Sequence, residues 1–334
     1  MRRPTRGRIM KTITLEEHFA TAGFFGGPGR DLKAQAENRD ARALRLVPQL
    51  SDLGAARIAE MDEAGIDMQI VSLMSPGTEQ LEAPDAIALA TETNDFVLDA
   101  IRKYPSRFGG FATLPTAAPE KAAQELEHRV KGQKFAGAVI NGHNHGRYLD
   151  DKFFWPILEC AEKIGAPIYL HPTMPPKAVI DASFGGFSPA VTQMFAGPGW
   201  GWHIETAVHV LRMILGGVFD RFPDLQIVIG HMGEGLVGMF QRVDMMPPAV
   251  TKLKRPVTAY LRANVHYTFA GFFFPPTFLA LLLELGGVDR IMFSVDHPFA
   301  SMSEGVAFLN QLPLSEADKE RIAHGNAEKL FKLA

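Results

Sequence analysis

The sequence predicts an α/β fold in which eight parallel strands close into a barrel, the (β/α)8 or TIM barrel. Short apolar runs rich in β-forming residues alternate with longer helical patterns along the chain, and such repeats pair their strands in parallel through right-handed crossovers. Several strand patterns end in a titratable side chain, as expected at the site-bearing end of a barrel. A chain of 334 residues with a hydrophobic fraction of 46% suits one large core.

The strands are predicted from apolar runs of four to eight residues. The first begins at Ile13, and the others cover residues 68–74, 108–114, 136–141, 168–171, 227–231, 264–269 and 290–296. Helical patterns lie between them, at residues 41–50, 55–65, 84–104, 119–131, 153–164, 204–215, from 235 onward, 276–285, 303–311 and 316–333. A doubly wound open sheet is the main alternative, but no Gly-x-Gly-x-x-Gly turn follows the first strand.

Two segments are longer than ordinary barrel loops. Residues 22–40 form a polar, Gly-rich stretch after the first strand, and the helical pattern at 41–50 extends this insertion. Residues 172–201 are rich in Gly, Pro and Met and follow the fifth strand. Long loops of this kind commonly act as lids or subunit contacts, so we expect the second segment to cover the mouth of the barrel.

Composition limits the function classes. A net charge of −3 offers no basic surface for nucleic acid, and no segment is long and apolar enough to span a membrane. The single cysteine excludes an intrachain disulfide and favours a reducing, cytoplasmic location. We expect residues 1–9 to be a disordered extension and residues 10–334 to form one barrel domain.

Titratable residues at strand ends indicate the site. In a strand, side chains alternate faces, so Glu16 and His18 point the same way and Glu17 points to the opposite face. His171, His231 and Asp296 each close a later strand pattern. One such residue is commonly a turn former or a helix cap, but the repetition favours a site. Nitrogen and carboxylate ligands from separate strands are typical of a catalytic divalent metal.

The motifs LEEHF at 15–19, GHMGE at 230–234 and SVDHPF at 294–299 extend this pattern. With them, nearly the whole chain resembles the amidohydrolase superfamily, and within it the metal-dependent nonoxidative aromatic-acid decarboxylases. That branch includes γ-resorcylate, 2,3-dihydroxybenzoate and 5-carboxyvanillate decarboxylases. The resemblance implies a barrel of the amidohydrolase type and decarboxylation of a hydroxylated benzoate to a phenol and CO2.

The resemblance also implies residue roles. One divalent ion, Mn2+ or Zn2+, is ligated by a set of four side chains: Glu16, His18, His171 and Asp296. Asp296 is the expected proton donor to the ring carbon, and His231, supported by Glu234, lies over the substrate. A small aromatic carboxylate is the expected partner, and a homodimer or homotetramer is the expected assembly.

Four residues are expected to contact the substrate. Arg242 matches a substrate-contacting arginine of the branch, and Arg42 matches an arginine that reaches in from a neighbouring subunit. His297 replaces the usual Trp or Tyr beside the metal aspartate. Phe272 belongs to an aromatic run after the seventh strand that is either core or an aromatic-binding wall.

Two other functions compete with decarboxylation. A metal-dependent hydrolase of the same superfamily would use a metal-activated water against a lactone or a related carbonyl. A non-enzymatic metal-binding scaffold would hold the ion without turnover. Products and metal-dependent turnover separate these functions.

Overall fold

The computed structural model describes residues 10–37 and 41–333, and among them eight strands form one sheet in chain order. The strands are β1 (Ile13–Phe19), β2 (Met68–Leu73), β3 (Phe108–Thr113), β4 (Gly137–Asn141), β5 (Ile168–His171), β6 (Ile227–Ile229), β7 (Val265–Thr268) and β8 (Ile291–Met292). Each neighbouring pair is parallel. Leu15 bridges Ser294 just beyond β8, which closes the sheet into the predicted barrel.

Helices fill the connections between strands. They are α1 (Ala22–Gly26), α2 (Arg30–Glu37), α3 (Ala41–Ser51), α4 (Ala55–Ala64), α5 (Ala83–Lys103), α6 (Pro119–Glu127), α7 (Trp155–Ile164), α8 (Lys177–Val179), α9 (Pro189–Ala196), α10 (Gly201–Leu215), α11 (Val218–Arg221), α12 (Phe240–Val243), α13 (Pro248–Thr251), α14 (Val257–Ala263), α15 (Pro275–Leu285), α16 (Met302–Gln311), α17 (Glu316–Glu320) and α18 (Asn326–Phe331). Short 3₁₀ or π turns adjoin some of them, at Lys152–Phe154, His128–Gly132, Ile180–Phe184 and Arg321–Gly325. No helix in the described part of the chain is long and apolar enough to cross a membrane.

Local sequence signals account for several helix ends. The left-handed conformation of Gly65, with φ of 81°, ends α4, and it costs glycine little because glycine has no Cβ. The Ser301 side chain accepts a hydrogen bond from the Glu304 amide at 3.3 Å and caps the start of α16. These signals make the α4 and α16 boundaries readable from the sequence.

Two predicted segments differ from the structure. Residues 22–40, predicted as a loop, contain α1 and α2, because Phe24 and Phe25 bury in the core and Thr21 accepts a hydrogen bond from the Phe24 amide. The helix predicted from residue 235 does not form there. Its first residues continue a turn in which Glu234 and Gly235 have φ of 54° and 81°, and the next helix begins at Phe240.

Two apolar layers build the core. The smaller one lies inside the barrel, where inward-facing side chains of successive strands meet. Its members from the strands include Ile13, Leu15, Ile70, Phe111, Val139, Tyr169, Val228 and Met292, and Phe331 of α18 packs on Phe111. The larger layer lies between the strands and the surrounding helices. A filled interior leaves the carboxyl ends of the strands as the place for a site.

Candidate active site

The four predicted ligands converge at the carboxyl ends of the strands. Glu16 Oε1 lies 3.2 Å from His171 Nε2, and the rings of His18 and His171 are 4.7 Å apart. The ligand atoms of Glu16, His18 and His171 all lie within 4.8 Å of one another. Asp296 Oδ1 lies 3.1 Å from His18 Nε2. The structure therefore brings together a carboxylate and two imidazoles, with a second carboxylate beside them.

Unusual backbone conformations aim two of these side chains. Glu16 has φ of 60° and Asp296 has φ of 71°, in the left-handed region that non-glycine residues seldom adopt. The pairing of β1 with β2 shifts register between Thr14 and Glu17, around Glu16. Backbone strain of this kind persists where surrounding contacts hold it, and it concentrates at functional sites.

Glu17 supplies such contacts for Asp296. Its carboxylate accepts hydrogen bonds from the amides of Val295 at 2.9 Å and His297 at 3.3 Å, the two neighbours of Asp296. Burial raises the pKa of Glu17 to about 7, although the Arg57 guanidinium acts to lower it. Glu17 thus faces away from the metal-ligand cluster and pairs within the barrel wall, as predicted.

The protonation states of the cluster suit a cation. His231 and His171 keep the pKa of Glu16 below its usual range against the opposing effect of burial. Burial, and then the neighbouring His171, lower the pKa of His18 well below its ordinary value. An ionised carboxylate and a neutral imidazole are the forms that ligate a metal.

One buried atom tests the fit of a metal directly. Glu16 Oε2 is held by the Tyr169 hydroxyl, while Glu16 Oε1 is buried and, although 3.2 Å from His171 Nε2, has no hydrogen bond of good angular geometry among the described residues. A buried carboxylate oxygen without a donor is costly unless a cation satisfies it. The residues present therefore fit a divalent ion bound by imidazole and carboxylate groups. The lone Cys160 lies on α7 and takes no part in this donor set.

His231 and Glu234 form a second buried unit. His231 Nδ1 lies 2.7 Å from Glu234 Oε1, and His203 Nδ1 lies 2.7 Å from Glu234 Oε2. Burial disfavours the charged imidazole, but Glu234 and Glu16 more than offset it and raise the pKa of His231 to about 10. Burial opposes ionisation of Glu234, yet His231 and His203 lower its pKa to about 2. The pair therefore carries opposite charges.

The pKa of Asp296 is shifted in the opposite direction to that of Glu16. Burial and the nearby Glu16 carboxylate raise the pKa of Asp296 well above its usual range, against the lowering effect of His231. Two carboxylates at one site thus differ in protonation, one ionised and one able to hold a proton. Such a separation is how a site assigns acid and base roles to like groups.

A cavity of about 960 Å³ opens onto this cluster. His18, His171, His231 and Asp296 line it, and its other walls come from α3, α4, the segment after β5 and the loop after β8. The segment at 172–201 contributes Gln193, Met194 and Pro198 to the wall, so it forms part of the cavity, and its role as a cover over the mouth stays a prediction. The volume is within the range of cavities that hold small organic ligands.

Of the four predicted substrate contacts, one lines the cavity, two do not, and one has its side chain outside the described residues. His297 is 4% exposed, lines the cavity, and has its Nε2 atom 3.9 Å from Glu60 Oε2. The Phe272 ring lies 5.1 Å from the rings of both His231 and His203, and Phe272 is not among the described residues that line the cavity. Arg242 is exposed on α12, with its Nη1 atom 2.9 Å from Met245 Sδ, and it does not line this cavity. The Arg42 side chain lies outside the described residues.

Sequence reasoning missed residues that the fold brings to the site. Arg45, one helical turn from Arg42 on α3, lines the cavity. Tyr169 reaches Glu16 from inside the barrel. His203 is also close to the site, and its place in the first turn of α10, after the long segment that follows β5, is the sequence signal that it lies near the strand ends.

The chain also matches known proteins over most of its length. The amidohydrolase family model matches residues 39–333. γ-Resorcylate decarboxylase from Polaromonas sp. is 36% identical to this chain over an alignment of 334 positions. The alignment covers 96% of this chain and 98% of that protein.

Two solved structures share both sequence and fold with the chain. The crystal structure of dihydroxybenzoic acid decarboxylase from Polaromonas sp., with bound manganese and the inhibitor 2-nitroresorcinol, has 36% identity, a TM-score of 0.87 and 97% coverage of each chain. That of 5-carboxyvanillate decarboxylase from Novosphingobium aromaticivorans, with manganese and 4-hydroxy-3-methoxy-5-nitrobenzoic acid, has 34% identity and a TM-score of 0.89, covering 97% of this chain and 96% of that one.

Proposed function

We propose that this chain, which belongs to the amidohydrolase family, catalyses the metal-dependent nonoxidative decarboxylation of an ortho-hydroxybenzoate to the phenol and CO2. Its relatives are named as decarboxylases of hydroxylated benzoates and match nearly the whole chain. The observation that carries the proposal is the buried Asp296, 3.1 Å from His18 at the edge of the Glu16–His18–His171 cluster. A buried carboxyl group at the edge of a cation site is placed to pass a proton to the ring carbon of a substrate bound there.

Glu16, His18, His171 and Asp296 would hold one divalent ion, with Mn2+ favoured by the manganese in the related structures and Zn2+ as the alternative. When bound, the ion supplies Lewis acidity and neutralises the negative charge of the substrate. The rest of the cavity then has to orient the ring and move one proton.

Asp296 performs the proton transfer. Its carboxyl proton goes to the ring carbon that carries the carboxylate, and ring electrons form the new C–H bond. The C–C bond to the carboxylate then breaks, its electron pair restores the aromatic ring, and CO2 leaves. Asp296 recovers its proton from solvent before the next turnover. Burial and the Glu16 carboxylate raise the pKa of Asp296, whereas His231 and a bound cation act to lower it, so the proton for this step is held beside the negative charge of the bound substrate.

His231 orients and stabilises the anionic substrate. Because its Nδ1 atom is engaged by Glu234 at 2.7 Å, Nε2 is the nitrogen left for the substrate. The high pKa of His231 keeps the imidazole charged, so Nε2 donates a hydrogen bond. The Phe272 ring packs against the His231 imidazole in an edge-to-face contact, with 5.1 Å between ring centres.

The remaining substrate contacts and the assembly are part of the proposal. His297 contacts the ring from the cavity wall, and Arg42 is proposed to bind the substrate's acidic groups. A substrate contact by Arg242 is supported by the resemblance alone, because this arginine is exposed on α12 and does not line the cavity. We further propose a homodimer or homotetramer located in the cytoplasm, in keeping with a single cysteine in the sequence.

A substrate panel tests the function. The purified protein is stripped with a chelator and reloaded with Mn2+ or Zn2+, then offered hydroxybenzoates and lactones while CO2 release and ring opening are followed. We expect metal-dependent CO2 release from at least one ortho-hydroxybenzoate and none from its isomer without the ortho hydroxyl. Lactone opening without CO2 release would instead indicate a hydrolase. Full metal content without turnover on either class would indicate a scaffold.

A further inference from the structure

His203 is a buried histidine of α10 whose position relative to Glu234 mirrors that of His231. The Glu234 carboxylate lies between two imidazoles, with His231 Nδ1 at 2.7 Å from Oε1 and His203 Nδ1 at 2.7 Å from Oε2. The two rings are 4.5 Å apart between centres and inclined by 65°. His203 is 8% exposed, and Glu234 is fully buried. Each carboxylate oxygen therefore has one imidazole partner in a water-poor setting.

The Nε2 side of His203 contacts residues of the cavity wall. His203 Nε2 lies 3.0 Å from Trp202 Nε1 and 3.2 Å from the Pro198 carbonyl oxygen. Since the indole N–H can only donate, Nε2 is its acceptor and does not donate to the Pro198 oxygen, and Nδ1 then carries the hydrogen that is donated to Glu234. Pro198 and Trp202 both line the cavity. A chain of hydrogen bonds thus runs from the Trp202 indole on the cavity wall, through His203 and Glu234, to His231.

These side chains also have the composition of a metal site, because ligand atoms of His203, His231 and Glu234 lie within 4.8 Å of one another. The hydrogen bonds argue against that use. Both Glu234 oxygens are already taken at 2.7 Å by imidazole nitrogens, a separation typical of a short charge-assisted hydrogen bond. Unlike Glu16, Glu234 has no buried oxygen without a partner among the described residues.

We propose that His203 is a positioning residue, which fixes Glu234 by donating to Oε2 so that Oε1 holds the His231 ring in its productive orientation. The inference rests on the proposed function, since it assigns His203 to the same site. Without the second donor the carboxylate is free to rotate about its terminal bond, and His231 loses a fixed partner. Catalysis depends on such outlying hydrogen bonds because small misplacements of a reacting group reduce the rate strongly.

Two substitutions distinguish the roles of the two ring nitrogens of His203. His203→Asn places an amide N–H near the position of Nδ1 and keeps the donor to Glu234, while it gives up the contacts to Trp202 and Pro198. His203→Gln reaches toward the position of Nε2 and gives up the donor to Glu234. We expect His203→Asn to keep kcat within about threefold of wild type and His203→Gln to lose at least about tenfold, with KM changed less than about twofold in both.

A matched control removes a different buried imidazole. His266 lies at the start of β7, at the end of the barrel away from the site, with Nε2 3.1 Å from Gln226 Oε1. We expect His266→Gln to leave kcat unchanged even where it lowers the melting temperature. If His203→Asn and His203→Gln lose the same fraction of kcat, or if both lose only thermal stability, the positioning role is wrong.

A readout independent of turnover distinguishes this inference from the proposed function. The imidazole N–H proton that His231 shares with Glu234 is expected as a low-field proton NMR signal, present in wild type and His203→Asn and absent or broadened in His203→Gln. Metal analysis is expected to give the same ion content for all three proteins. Loss of an ion in the His203 variants would make His203 a ligand and overturn the proposal. If wild type releases no CO2 but the three proteins show the expected NMR pattern, the decarboxylase assignment is wrong and the positioning role of His203 stands.

Discussion

Asp296 Oδ1 lies 3.1 Å from Nε2 of His18, across the seam where the last strand of the barrel meets the first. The Leu15–Ser294 bridge closes that seam, and the His18 amide donates to the His297 carbonyl oxygen at 2.8 Å. The metal-ligand cluster therefore depends on barrel closure as well as on its own side chains.

Replacing Asp296 by asparagine is expected to abolish turnover while the fold remains. The amide keeps the shape of the carboxyl group but cannot give up a proton and recover it. We expect a loss of more than tenfold in kcat, equivalent to ~1.4 kcal/mol or more in the barrier. The control is Asp289→Asn, an exposed aspartate that pairs with Arg321, which is expected to keep the wild-type rate. Retention of more than about a tenth of the rate by Asp296→Asn would contradict the donor role.

Metal content distinguishes the two histidine environments. His18 is proposed as a ligand, whereas His231 is held by Glu234 at 2.7 Å. We expect His18→Ala to lose more bound metal than His231→Ala, both purified identically and measured by elemental analysis. Equal metal content in the two variants would count against the assignment of His18.

Two arginines one turn apart on α3 are alternative partners for the substrate's acidic group. Arg45 lines the cavity, so we expect Arg45→Ala to raise KM by about tenfold with a smaller change in kcat. Arg42→Ala is the matched variant. A larger effect there would favour Arg42, and recovery of activity on mixing inactive Arg42→Ala with inactive Asp296→Asn under subunit exchange would place Arg42 in a neighbouring subunit's site.

His297 is expected to influence substrate choice. Its imidazole lines the cavity 3.9 Å from Glu60, and burial, with Arg57, lowers the pKa of His297 to about 3, so the ring is neutral. His297→Phe removes hydrogen-bonding capacity but keeps a flat ring. We expect kcat/KM to fall about tenfold more for hydroxybenzoates with an additional ring hydroxyl than for those without it. Equal losses on both substrates, at unchanged metal content, would exclude a specificity role.

Glu79 is expected to make stability depend on pH. It is 1% exposed, and burial raises its pKa from 4.5 to about 7, although the Asn141 amide at 3.0 Å from Oε1 acts to lower it. Because the folded state holds this proton more tightly than the unfolded state, stability falls as pH rises from 4.5 toward 7 and levels off above that.

Glu79→Gln removes that titration and keeps the acceptor for Asn141. The variant is expected to be more stable than wild type at pH 8, by up to about 3 kcal/mol, and to lose this advantage at pH 4. Urea unfolding at both pH values measures the difference. Parallel stability profiles for the two proteins would show that Glu79 does not titrate in this range.

The sequence by itself determined the alternation of strands and helices, the side of the barrel on which the site lies, and which titratable residues are candidate ligands there. Apolar periodicity reports which residues face the core, and the two-residue period of a strand puts Glu16 and His18 on one face. Those signals are local, so they survive without knowledge of the fold. The resemblance of the strand-end motifs to a known family added the roles of the residues.

Tertiary structure decided the contacts between distant segments. Helices α1 and α2 form at residues 22–26 and 30–37 because Phe24 and Phe25 pack into the core, which their Gly-rich surroundings do not reveal. The place of Arg45 at the cavity wall depends on how α3 docks, and the Glu234–His203 pair joins residues 31 positions apart. Periodicity gives a side chain's direction along its own element, whereas the distance between two side chains is set by barrel closure and loop packing. Only the folded chain therefore shows which imidazole meets which carboxylate.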